Sequence, residues 1–225
     1  MKTKTCEVDL PYNWDVVVRV ISKPEKTLPF FPYFESIEGD TVRFNVPRFM
    51  AKIGYEFKLS VAVQENRAVY TFTGDRGILT VVFEMEGKHL KVIASWSGFA
   101  ELIMGKPLQK FVNGIANAVK EFCSAEMCPL TLTGDEGYLD FKTVCSLFKK
   151  TAMEMGGDFL VECTSEDGTV LKGRVHEGNL VEVEVIEPSG RKTTVRTEIP
   201  VLEVDEDLFK DLPLEKRFRI RVKRN

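Results

Sequence analysis

Between Tyr33 and Gln64 the chain reads YFESIEGDTVRFNVPRFMAKIGYEFKLSVAVQ, and its apolar residues recur at a spacing of two. Val42, Phe44 and Val46 alternate with Arg43 and Asn45. Tyr55, Phe57, Leu59, Val61 and Val63 alternate with Glu56, Lys58 and Ser60. Successive side chains of a strand point to opposite faces, so this period predicts strands that are apolar on one face and polar on the other. The apolar face must meet either a dry core or a ligand.

The same period continues in NRAVYTFTG, GILTVVFEME and HLKVIASWSGF, separated by the turn-forming stretches QEN, GDRG and EGK. Ahead of them come a short strand, KTCEVD, and an amphipathic helix in LPYNWDVVVRVIS. Pro11 is expected in its first turn, and Trp14, Val17, Val18 and Ile21 on its apolar stripe. Leu28, Phe30, Phe31 and Phe34 are expected on a second short helix and the turn after it. After six strands the period lengthens. Leu108, Phe111, Val112, Ile115, Val119 and Phe122 form one stripe of a long helix over about 104–125, with Gly114 and Ala116 leaving room in or beside it.

Composition sets the outer bounds. The chain has 225 residues, 44% hydrophobic and 29% charged, with a formal net charge of −3. This is ordinary for a globular protein and gives no electrostatic sign of a nucleic-acid binder. No apolar run approaches the ~20 residues of a membrane span, and the opening residues carry no apolar stretch of a secretory signal. The five cysteines are scattered without a C-x-x-C pair, so reduced, buried thiols and a cytoplasmic location are expected. A zinc site from Cys123, Cys128, Cys145 and His176 is conceivable, but the spacing matches no ligand pattern. No metal and no cofactor are expected.

The order strand, two short helices, six antiparallel strands and a long helix resembles the START and birch-pollen-allergen superfamily, the helix-grip fold, over residues 1–127. LPFFPYFESIEGD and GKPLQKFVNGIANAVKEF carry the local likeness, which is nearest to the carbon monoxide dehydrogenase G-like group. The resemblance implies a curved antiparallel sheet around the long C-terminal helix, enclosing an apolar cavity. Phe44, Phe57, Leu59, Tyr70, Phe72, Phe83, Trp96, Phe111 and Ile115 would then line a site for a lipid, fatty acid, isoprenoid or quinone-like molecule. Phe44, Phe57, Phe72 and Trp96 are expected on one concave face. The Tyr55 and Tyr70 hydroxyls and the Trp96 indole are the few polar groups there. GDRG reads as a turn with a solvated ion pair and Glu101 as a charge at the start of the long helix. With no acid/base pair fixed by the sequence, the expected function is non-catalytic binding or transport. The alternatives are an accessory protein docking on a partner complex through its C-terminal part, and a cofactor-independent cyclase or hydrolase of the same fold.

Residues 128–138 read as a linker and 139–225 as a smaller α+β domain, a helix on four or five antiparallel strands. Asp140 is placed to cap that helix and Gly156–Gly157 to end it. The basic ending EKRFRIRVKRN is read as a charged edge strand. The acidic balance of 128–225, 15 Lys and Arg against 19 Asp and Glu, argues against a nucleic-acid contact.

Overall fold

The computed structural model describes residues 1–48, 51–128, 130, 134 and 136–224. Two compact units divide at Cys123/Ser124. Much of the stretch expected as a linker, residues 129, 131–133 and 135, lies outside the described residues.

The first unit is an α+β helix-grip fold. Seven strands, β1 (Lys2–Asp9), β2 (Phe34–Glu38), β3 (Thr41–Arg48), β4 (Ala51–Gln64), β5 (Arg67–Gly74), β6 (Gly77–Glu86) and β7 (His89–Gly98), form one sheet in the order β1-β7-β6-β5-β4-β3-β2. All pairings are antiparallel. Alternation places Phe44, Phe57, Phe72 and Trp96 together on the inner face, all at most 3% exposed. The long helix α3 (Gly105–Glu126) presents Leu108, Phe111, Val112, Ile115, Val119 and Phe122 as a buried stripe. Its Phe111 ring meets Phe44 of the sheet edge-on at 5.5 Å.

Several local expectations change. Helix α1 is Trp14–Ile21 with Asn13 before it, so Pro11 precedes the helix; Val16, Val17, Val20 and Ile21 are its buried residues. The second helix is α2 (Pro24–Thr27), continued by a 3-10 turn Leu28–Phe30, whereas Phe34 opens β2. Glu101 sits in a 3-10 turn, Glu101–Ile103, rather than in the first turn of α3. The period-two pattern of β4 outlasts its burial. Leu59 is half-buried, and Val61 and Val63 are exposed, because β3 pairs with β4 only as far as Lys58.

Gly114 does not widen a cavity. A Cβ there would overlap the Pro32 ring, so the missing side chain lets the turn before β2 press against α3. Ala116 is likewise buried in close packing.

The second unit contains β8 (Glu136–Leu139), α4 (Phe141–Met155), β9 (Phe159–Ser165), β10 (Val170–His176), β11 (Asn179–Ile186), β12 (Lys192–Pro200) and β13 (Lys216–Arg224). Its sheet has six strands in the order β12-β11-β10-β9-β13-β8. The extra strand is β8, at the end of the stretch expected as linker, which pairs with β13 from Leu139↔Lys216 to Glu136↔Arg219. β13 is therefore an interior strand and not an edge; its basic face is compensated locally, as where Arg219 donates to Glu136 at 2.7 and 3.1 Å. On the other face Phe148 of α4 lies over Gly173, where a Cβ would collide with the ring. Asp140 caps α4 by accepting from the Thr143 N–H at 2.7 Å.

Two outcomes test this packing. Gly114→Ala, which in an open helix would stabilise by up to about 1 kcal/mol, is expected to lower stability by about 1–3 kcal/mol in urea unfolding through collision with Pro32. An unchanged or raised stability contradicts that contact. The Thr143 hydrogen bonds hold the Asp140 carboxyl below its usual range. Its stabilisation is thus present above the unfolded carboxylate pKa and lost as pH falls through the lower folded value. Asp140→Ala should cost about 1 kcal/mol near neutrality, a difference that closes in strong acid; a difference independent of pH contradicts the assignment.

Candidate apolar pocket

An apolar cavity of about 30 Å³ lies where the start of α3 faces the sheet. Its sheet wall is Phe44 and Val46 of β3, Tyr55 and Phe57 of β4, Leu79 of β6 and Trp96 of β7. Its other wall is Tyr33, Met104, Pro107, Leu108 and Phe111. The strands supply their side chains through the inward phase of the pleat, whereas Tyr33 and Met104 come from the irregular segments before β2 and α3. Tyr33 adopts a left-handed backbone, φ +68°, and its ring stacks on Phe111 at 6.3 Å. Its hydroxyl donates to the Pro107 carbonyl at 3.4 Å.

Of the residues expected to bind ligand, Phe44, Phe57, Trp96 and Phe111 line this cavity. Tyr70, Phe72, Phe83 and Ile115 do not; they are fully buried in the packed part of the core. Leu59 is further along β4 and also lies outside it. The lining residues not named as ligand-binding are Tyr33, Val46, Tyr55, Leu79, Met104, Pro107 and Leu108, although the Tyr55 hydroxyl was expected on this face. Val46, Tyr55 and Leu79 had the right strand phase, and Pro107 and Leu108 stand in the first turn of α3; Tyr33 and Met104 lie in segments that carry no period.

The aromatic side chains nearly fill the space. Phe44 packs edge-on against Phe57 at 6.2 Å and Phe72 at 5.5 Å, and Trp96 meets Tyr55 at 5.4 Å and Phe57 at 6.1 Å. Thirty cubic ångströms holds a water-sized body and no hydrocarbon chain, so a chain-sized ligand requires the lining to move outward.

The polar groups of this face separate sharply. The Tyr70 hydroxyl donates to the Ile21 carbonyl, and burial pushes its pKa up. The Trp96 indole donates to the Phe99 carbonyl at 3.1 Å. Both are committed to backbone. The Tyr55 hydroxyl is buried and, among the described residues, has no hydrogen-bond partner. Arg76, whose guanidinium lies 5.9 Å from the Tyr55 ring centroid, donates instead to the Gly54 carbonyl at 3.1 Å. It is exposed and caps the ring rather than the oxygen.

No group of three or more His, Cys, Asp or Glu side chains among the described residues is arranged to hold a metal. Cys145 and Cys163 are buried, and burial raises both thiols to about 12, which suits packing rather than nucleophilic chemistry. Among those residues no helix is long and apolar enough to cross a membrane.

No curated protein matches the sequence. Among solved structures, a hypothetical protein from Sulfolobus tokodaii is 20% identical, covering 52% of this chain and 88% of its own, with a TM-score of 0.38. The Zhui aromatase/cyclase from Streptomyces sp. R1128 is 13% identical, with coverage of 54% and 93% and a TM-score of 0.40. A di-domain ARO/CYC protein, BexL, from the BE-7585A biosynthetic pathway is 12% identical, with coverage of 89% and 76% and a TM-score of 0.42. Aromatase/cyclases are enzymes, and their presence among these structures overturns the expectation of a non-catalytic protein, which rested only on the lack of an acid/base pair in the sequence. A protein-family model matches residues 1–127, more than half of the chain. The chain belongs to the family of that model, and its fold over those residues is the α+β helix-grip fold described above.

Proposed function

We propose that the N-terminal unit binds an apolar small molecule bearing one hydrogen-bonding oxygen, of the lipid, fatty-acid, isoprenoid or quinone-like kind. Binding is the step common to a carrier and to an enzyme of this fold. The observation that carries the reading is Tyr55, which lines the apolar pocket and whose buried hydroxyl has no partner among the described residues. Leaving such a group unpaired costs about 1–3 kcal/mol, a penalty that a ligand oxygen would relieve. The remaining lining offers hydrocarbon contact, worth about 25 cal/mol per Å² of apolar area buried. Tyr33 and Met104, standing on irregular segments, form the side able to yield. The nearer likeness to the carbon monoxide dehydrogenase G-like group, carried by LPFFPYFESIEGD and GKPLQKFVNGIANAVKEF, belongs to the same proposal.

Organic extraction of the purified protein followed by mass spectrometry, with titration of a fluorescent fatty acid, tests the reading. Tyr55→Phe should weaken uptake about two- to tenfold, the worth of one neutral hydrogen bond. It should leave the ligand-free protein as stable as before or more so. A protein that yields no lipid and takes up no probe overturns the reading. So does a Tyr55→Phe protein that loses more than about 1 kcal/mol of stability, which would reveal a protein partner for the hydroxyl.

A further inference from the structure

The sheet of the second unit has one face under α4 and one turned away from it. Phe148 of α4 lies over Gly173, and Val161 and Val183 stand beside Gly173 in register on that covered face. Alternation therefore sends Arg217, Arg219, Arg221 and Lys223 of β13, with Lys172 and Arg174 of β10, to the other face. Against these six cations the strands β8, β13, β9 and β10 set two carboxylates there, Glu136 and Glu162. The acidic balance of 128–225, which weighed against a nucleic-acid contact, belongs to other surfaces. Glu203, Asp205, Glu206, Asp207 and Asp211 are exposed in the segment that joins β12 to β13.

Local compensation reaches Arg219 through Glu136. Arg174, Arg217, Arg221 and Lys223 are exposed and make no ion pair or side-chain hydrogen bond among the described residues. A hollow of about 430 Å³ opens among Arg217, Arg219, Arg221 and Thr164, with Glu166 on its border. Tyr138, 55% exposed, pairs in register with Arg217. Along β13 the cations recur about every 6.8 Å, twice the rise of a strand residue, a step that suits the phosphates of an extended nucleic-acid strand. Free guanidinium groups take phosphate oxygens two at a time, and an exposed ring beside them offers a base a surface to stack on. An extended acidic peptide would instead seek the backbone hydrogen bonds of a sheet edge, and these groups stand on a face.

We propose that this face of the second unit binds single-stranded nucleic acid, with Arg174, Arg217, Arg221 and Lys223 on phosphates and a base stacked on Tyr138. The contacts are to the backbone and to ring faces, so binding tolerates many sequences. The proposal is independent of the apolar pocket of the first unit.

The full chain is titrated into a fluorescein-labelled oligothymidylate longer than the ~4–16 nucleotides such a site covers, and anisotropy is followed at several salt concentrations. Binding is expected, with log K falling against log salt at a slope of about −0.7 for each phosphate engaged, near −3 for four. Arg217→Ala with Arg221→Ala should weaken binding about tenfold or more and make the slope shallower by about 1.4. Tyr138→Ala should weaken it about fivefold or more with the slope unchanged. Lys142→Ala, an equal loss of charge on α4, should bind as before. Failure of the unmodified chain to bind the oligonucleotide overturns the proposal, as does undiminished binding by both the double arginine variant and Tyr138→Ala. So does an equal loss in Lys142→Ala, which would reveal attraction without a site. Equal affinity for a duplex of the same length would refute the preference for a single strand. Displacement of the oligonucleotide by polyglutamate as readily as by unlabelled oligothymidylate would assign the face to an acidic protein instead.

Discussion

Phe44 is the ring on which the first unit turns. Its edge contacts reach Phe34 of β2, Phe57 of β4, Phe72 of β5 and Phe111 of α3. One side chain therefore fixes three strands and the helix at once. Moving it by one residue of register would place a charged or amide neighbour there instead, Arg43 or Asn45, and turn the apolar set outward. From Phe44 the ring contacts run through Phe72 and Tyr70 to Phe83, and through Phe57 to Tyr55 and Trp96. Edge-to-face pairs of this sort are worth about 0.5–1.5 kcal/mol beyond the area they bury.

The network is dense in its middle and open at one end. Around Tyr70 and Phe83 the core is closed, and its polar atom is tied to α1. Towards Tyr55 and Trp96 the sheet faces Tyr33, Met104 and the start of α3, and the fit loosens into the pocket. A core serving stability alone has no use for an unpaired hydroxyl, because phenylalanine would fill the same place without the penalty. On the proposed reading, Tyr55 is the point at which packing and ligand binding part.

The strand faces were legible because burial on one face imposes a period of two, and Phe44, Phe57, Phe72 and Trp96 obeyed it. The long helix was legible for the matching reason. Limits appeared wherever periodicity and burial come apart. Val61 and Val63 continue the pattern past the reach of β3. Gly114 reads as empty space in one dimension, yet the Pro32 ring occupies it in three. Strand β8 is short and glycine-containing, and it exists through pairing with β13, far along the chain. The pocket suffered most: Tyr33 and Met104 in its wall are placed by chain reversal and not by any period. That Tyr55, rather than Tyr70, keeps its hydroxyl unpaired depends on where the end of α1 stops.

The pocket account is tested most directly by a crystal structure of the protein grown with decanol. The account predicts an alkyl chain between Phe44, Trp96 and Phe111, its hydroxyl within hydrogen-bond distance of the Tyr55 Oη, and Tyr33 and Met104 displaced outward. A pocket unchanged in volume, with Tyr55 still unpaired and no alcohol inside, would contradict it.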